Sequence, residues 1–339
     1  MRVSPARVRV VVAAIVVAGV VGCAALRPLA DVRLARGKDA LGSRDYAQAV
    51  AEFKEAIRLD PTYAEAHFNL GVAYRRSGDL ESAATSLQEA VRLEPTSVPM
   101  LIELGEVCRL LNRMNQAAVA YAQAERLAPR SFDLQFRLAS VYHQTGDLER
   151  AASHYRKAID IDPSNGLVRS NLGAVLAAQG RGYEAIRVYK ESLESDQAQP
   201  LVLVNLATVY LNQERWEPAR LALEKAIQLD ASLAIAHERY GYCLWRVGRL
   251  DEAAEAYRQA LALDSRNAAA HAGLGVVNMT RHLTEPGNTA LRDQALESWH
   301  TSLELNPNQP RLAELVRKYT PRHERGPLDL DDAGAGAAP

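Results

Sequence analysis

Three cysteines in 339 residues, Cys23, Cys108 and Cys243, are too few and too scattered for a disulfide framework or a metal knuckle. Phenylalanine (four), tryptophan (three) and methionine (four) are also scarce, so the interior must be built from smaller aliphatic side chains, with tyrosine as the main ring. Neither sign of charge dominates: 40 basic residues stand against 41 acidic ones, which leaves no basic surplus for a nucleic-acid backbone. Almost half of the residues are apolar, which excludes wholesale disorder. Long uncharged apolar runs are missing too, with one exception.

That exception lies at the start. Arg2, Arg7 and Arg9 form a basic segment, and Val10 to Leu26 come after it without a charge. The run is just short of the roughly 18 to 20 residues that span a bilayer, and it has the form of a secretory signal. Val20-Val21-Gly22-Cys23 within it resembles the bacterial lipobox. The reading is a lipoprotein signal peptide over 1–22, Cys23 as the lipidated N-terminus, and a short linker to residue 29. The alternative is a short uncleaved anchor. Cleavage before Cys23 removes three positive charges and takes the net charge from −1 to −4.

Beyond this segment a period of 34 residues organises the chain. Pro61, Pro95, Pro129 and Pro163 are spaced by it. So are Ala49, Ala83, Ala117, Ala151, Ala185, Ala219 and Ala253, and Ala295 continues the phase after eight extra residues. A ring or Leu stands four positions after each alanine, from Phe53 to Trp299, and a small residue stands seven after. In the second copy His67, Leu70, Gly71 and Tyr74 share one helical face, Ser77-Gly78-Asp79 is a turn, and Ala83, Leu87 and Ala90 share the face of a second helix. Gly71 and Ala83 are small where two helix backbones cross. One hairpin cannot bury its apolar face alone, so copies must stack.

The phase Leu-Gly-x-x-Tyr, Gly, Ala, Tyr/Phe, Ala, Pro resembles the tetratricopeptide repeat. The resemblance implies an all-α solenoid, a right-handed superhelix of about eight helix-turn-helix repeats. The copies are 30–63, 64–97, 98–131, 132–165, 166–199, 200–233, 234–267 and 268–309. In the first copy Arg33 and Arg36 replace core residues, which suits a terminal repeat. Leu312, Leu315, Val316 and Tyr319 predict a capping helix over 310–319, and the acidic segment 320–339 is expected to be disordered. The insertion 282–289 reads as a longer loop in the turn of copy eight.

Catalytic patterns fail on inspection. His237-Glu238 opens like a zinc-protease motif, but Gly241 stands where the second His is needed, and Gly180-Arg181-Gly182 lies in a helix–helix turn rather than after a strand. There is no P-loop and no GxSxG. No enzyme activity, cofactor or metal is expected. Cys108 and Cys243 belong to copies three and seven; with about 10 Å per stacked helix pair they lie beyond the roughly 7 Å that a disulfide allows.

Function is then expected on the inner face, formed by the first helix of each copy. Its candidates are Phe68, Asn69, Arg75 and Arg76 in copy two, and Phe136, Arg137 and His143 in copy four. Copies five and six add Leu167, Asn171, Leu201, Val204, Asn205 and Leu211, and copy seven adds Tyr242 and Trp245. A groove with a basic-aromatic half and an aliphatic half suits an amphipathic helix or an extended segment. The resemblance implies that Asn69, Asn171 and Asn205 bond a ligand backbone; they are also consensus residues. No copy carries the paired Lys and Asn that capture a C-terminal carboxylate. The expected partner is therefore a protein or peptide, with a membrane reached through the lipid anchor and no nucleic acid.

Three roles fit these features. The first is an outer-membrane, periplasm-facing scaffold that aids assembly of an envelope complex, in the manner of the pilotin-type lipoproteins of type IV pili, which the layout resembles. The second is a self-assembling coat. The third is a recruiting subunit for a separate envelope enzyme such as a glycan synthase.

Overall fold

The computed structural model describes residues 26–320, and among these there is no β-strand. The lipobox-like Cys23 and the acidic tail beyond Thr320 lie outside the described residues. The chain divides into two compact units, Met1–Pro163 and Ser164–Pro339. Both are all-α solenoid segments in which helices pack on their neighbours in chain order.

The first unit contains α1 (26–42), α2 (Tyr46–Leu59), α3 (Ala64–Ser77), α4 (Leu80–Leu93), α5 (Val98–Leu110), α6 (Met114–Leu127), α7 (Phe132–Gln144) and α8 (Leu148–Ile161). The second contains α9 (Gly166–Ala178), α10 (Gly182–Ser195), α11 (Pro200–Asn212), α12 (Trp216–Leu229), α13 (Ala234–Arg246), α14 (Leu250–Leu263), α15 (Ala268–Thr284), α16 (Thr289–Leu305) and α17 (Pro310–Tyr319). Helix α1 already takes in residues 26–29, which the sequence assigned to a linker.

Every alanine of the 34-residue phase from Ala49 to Ala295 is fully buried. In five copies the ring four residues later, Phe53, Tyr121, Tyr189, Tyr257 or Trp299, lies against a glycine of the partner helix. A Cβ on Gly105 would stand 2.4 Å from the Tyr121 ring, and one on Gly275 would stand 2.4 Å from the Trp299 indole and 2.9 Å from the Ala295 carbonyl. Glycine here is a matter of space. At the turns it is a matter of backbone: residues 44, 78, 112, 146, 180, 214 and 248, spaced by 34, all have positive φ, from 56° to 91°. Four of these are Gly, and the others are Arg44, Asn112 and Glu214. Where Asp comes next, at Asp45, Asp79 and Asp147, its carboxylate accepts the amide of the third residue on and caps the second helix.

The insertion of copy eight is half helix and half loop. Helices α15 and α16 each have 17 residues, against 13 and 14 for α13 and α14. Only 285–288 connect them. The extra residues add about a turn to each helix, and Pro286 ends α15 because the residue before a proline is pushed out of the helical region. Helix α17 lays Leu312 and Val316 against Met279, Leu296 and Trp299.

Candidate functional site

In the first unit the predicted residues lie on α3 and α7, and two of the three arginines, Arg75 and Arg137, are already committed. Arg75 pairs with Glu103 of the next first helix. Arg137 bonds Asp133 at 2.8 Å and Glu106 at 3.0 Å, and Arg109 bonds Glu106 at 2.7 Å. The hydrogen bond from Arg109, with Tyr121 and Arg137 beside it, holds the Glu106 carboxyl below the ordinary carboxylate value. Glu103, Glu106 and Asp133 thus offset the charge of Arg75, Arg109 and Arg137, and of the expected basic half Arg76 stays exposed. A recess of about 350 Å³ runs over Phe136, Arg137 and Glu106. Phe136 is half-buried, stacked on Phe132 with centroids 6.3 Å apart. Phe68 is half-buried against the cluster of Ala83, Ala84 and Leu87. Asn69 donates to the Glu65 carbonyl of its own helix at 2.8 Å. Arg76 is exposed and His143 half-buried.

The second unit holds the roomier groove, about 680 Å³, and it brings four predicted residues together: Leu167, Asn171, Leu201 and Asn205. Leu167 and Leu201 are 61% and 59% exposed. Val204 is not part of this surface. It is 2% exposed, and its column on the helix points between neighbouring first helices rather than outward. Helix α11 lies between α9 and α13 and touches both, so that flank is covered. Leu211 is half-buried.

Tyr242 and Trp245 stand apart from this groove in an aromatic cluster that sequence reasoning saw only in part. Trp216, at the start of α12, meets Tyr242 edge-on at 6.2 Å, and Tyr242 lies 5.8 Å from Trp245. The Arg246 guanidinium sits 4.1 Å over Trp216, and Trp245 donates to Thr280. The signal for Trp216 was a tryptophan in a column that copies one to four fill with Tyr46, Leu80, Met114 and Leu148.

The histidines of the repeat do backbone work. His67, His237 and His271 each place Nε2 3.1 Å from the carbonyl six residues earlier, and Gln135 donates to the Pro129 carbonyl in the same way. This closes those four inter-repeat loops and accounts for His237 of the protease-like pair. Burial raises the Glu238 carboxyl above its ordinary value. Cys108 and Cys243 are free and buried, and burial pushes the Cys243 thiol up to about 11.

No helix among the described residues is long and apolar enough to cross a membrane. No curated protein sequence matches the chain. Among solved structures, the C-terminal part of a TPR repeat-containing protein from Cytophaga hutchinsonii superposes with a TM-score of 0.60 at 17% identity, covering 70% of this chain and 98% of that one. A tetratricopeptide repeat protein from Parabacteroides merdae gives 0.59 at 16% identity, covering 76% and 99%. PilF of Pseudomonas aeruginosa gives 0.55 at 23% identity, covering 65% and 97%. These likenesses concern the fold. The family model described as the Cilia and flagella-associated protein 70 C-terminal domain, a tetratricopeptide-repeat family, matches residues 24–274, and with 251 of its 339 residues matched the chain belongs to that family.

Proposed function

We propose that the chain is a non-catalytic, membrane-tethered scaffold of a bacterial envelope, which holds a protein segment in the groove of its second unit and so aids assembly of an envelope complex. The observation that carries this reading is the pair of exposed leucines, Leu167 and Leu201, fixed on rigid helices beside Asn171 and Asn205. Folding gains nothing from holding two large apolar side chains in water, and an apolar groove rimmed by amides is suited to a segment that offers apolar side chains and backbone polar groups. The lipobox-like Val20-Val21-Gly22-Cys23 supports tethering, and Ala24 after Cys23 favours the outer membrane.

The test is a double substitution, Leu167→Asp with Leu201→Asp, in the full chain. Both sites are exposed, so helical content by circular dichroism should be unchanged, while capture of the partner from membrane extracts should be lost. Capture that survives with the fold intact would move the partner site away from this groove.

A further inference from the structure

Helix α1 is held firmly while part of it faces away from the repeats. On its inner side Ala30, Leu34 and Ala40 are buried in one cluster with Phe53 and Ala66. Arg27 ties down the opening turn: its guanidinium lies 3.4 Å over the Tyr63 ring and pairs with Asp60. The Tyr63 hydroxyl in turn donates to Asp31 at 2.7 Å. On the outer side Leu26, Leu29 and Val32 are 41%, 56% and 50% exposed. Their i, i+3, i+6 spacing places them along one flank of the first two turns. Arg36, one turn further on, is exposed as well, whereas Arg33 is taken up by Glu52 at 3.0 Å.

The chain itself indicates what covers this flank. Leu26 is the last residue of the uncharged run from Val10 and the third residue after Cys23. Three residues reach at most about 10 Å, so a chain held at Cys23, or by the run itself, keeps the opening turn of α1 within that distance of the bilayer. Apolar side chains with a guanidinium beside them are what an interfacial helix presents to the boundary between headgroups and acyl chains.

We propose that the outer flank of α1, formed by Leu26, Leu29 and Val32 with Arg36, seats in the surface of the membrane that tethers the chain. The first repeat is thereby oriented on the bilayer rather than hanging from a loose linker. This rests on the tethering reading above. A second copy of the chain stacked on α1 is the competing occupant.

The experiment uses the full chain reconstituted in vesicles of phosphatidylethanolamine and phosphatidylglycerol. Single variants Leu29→Cys, Val32→Cys and, as an exposed control, Glu149→Cys receive an environment-sensitive maleimide fluorophore. A brief exposure spares the buried Cys108 and Cys243. Mass spectrometry counts the labels: one label means that Cys23 is blocked, two that it is free. Brominated lipid should quench labels at 29 and 32 at least about twofold more than the label at 149, because only the first two reach the acyl boundary. Equal quenching at all three positions on a chain that floats with the vesicles overturns the seating of α1 and leaves tethering intact. A signal at 29 that tracks protein concentration instead of lipid bromination overturns it in favour of stacked copies. Two labels on a chain that stays out of the vesicle fraction remove the tethering reading, and this inference falls with it.

Discussion

Two kinds of residue set the spacing and direction of the chain, and they respond to substitution with opposite signs. At Gly275 an added methyl meets both the Trp299 ring and the backbone oxygen of Ala295. The indole is 1% exposed and cannot step aside. Overpacking of this sort costs about 1–3 kcal/mol, more than the roughly 1 kcal/mol that alanine gains over glycine in a helix. Gly275→Ala is therefore expected to lower the urea midpoint; an unchanged midpoint would mean that the helices separate freely. Glu214 is the converse case. It holds φ at 56° at the turn before α12, where Gly78, Gly146, Gly180 and Gly248 hold the same conformation in other copies. A left-handed backbone costs an L-residue roughly 1–2 kcal/mol, so Glu214→Gly should raise the midpoint, less the extra freedom glycine has when unfolded. A fall would show that the Glu214 side chain makes a compensating contact. The period of 34 made both positions legible. The conformation at Arg44 and Glu214 was not, because neither residue type announces a left-handed backbone.

At the scale of the element, helices are joined sideways by ion pairs as well as by packing. Glu106 on α5 takes Arg109 of its own helix and Arg137 of α7. Its carboxyl is held below the ordinary 4.5, so this contribution is present above that value and is lost as the pH falls through the lower folded-state value. Urea midpoints of the native chain and of Glu106→Gln should differ at neutral pH and converge as acidification carries the Glu106 carboxyl through its lowered folded-state value. A gap that stays constant with pH would assign the effect to shape rather than charge. The sequence placed Arg137 on the inner face but could not pair it with Glu106, because the two stand 31 residues apart and meet only when copies stack. The copy-eight insertion was read as loop throughout, and half of it is helix. His282 to Thr284 carry no strong breaker, and the helix runs on until just before Pro286.

For the molecule as a whole, stability in a repeat array is roughly a sum of hairpins and their interfaces. Ala151 is fully buried in α8, on the column that sets hairpin spacing. Ala151→Leu should destabilise by about 1–3 kcal/mol, read as a lower urea midpoint, and should loosen α7 along with α8 in hydrogen exchange. An unchanged midpoint would show that the column is not a spacing element.

The sequence alone determined the helical class, the repeat length and the column of alanines. Those come from periodicity: identical spacing forces identical contacts inside each hairpin. Tertiary structure alone decided which groove residues remain in solvent. Val204 and Leu201 are both aliphatic, three positions apart on one helix, and both were assigned to the inner face. Val204 is covered by neighbouring helices and Leu201 is left open, because exposure on a stacked helix depends on what the adjacent copies place beside it. The same holds for Arg75 and Arg137, whose charge is visible in the chain and whose pairing with Glu103 and Glu106 appears only once the copies are side by side.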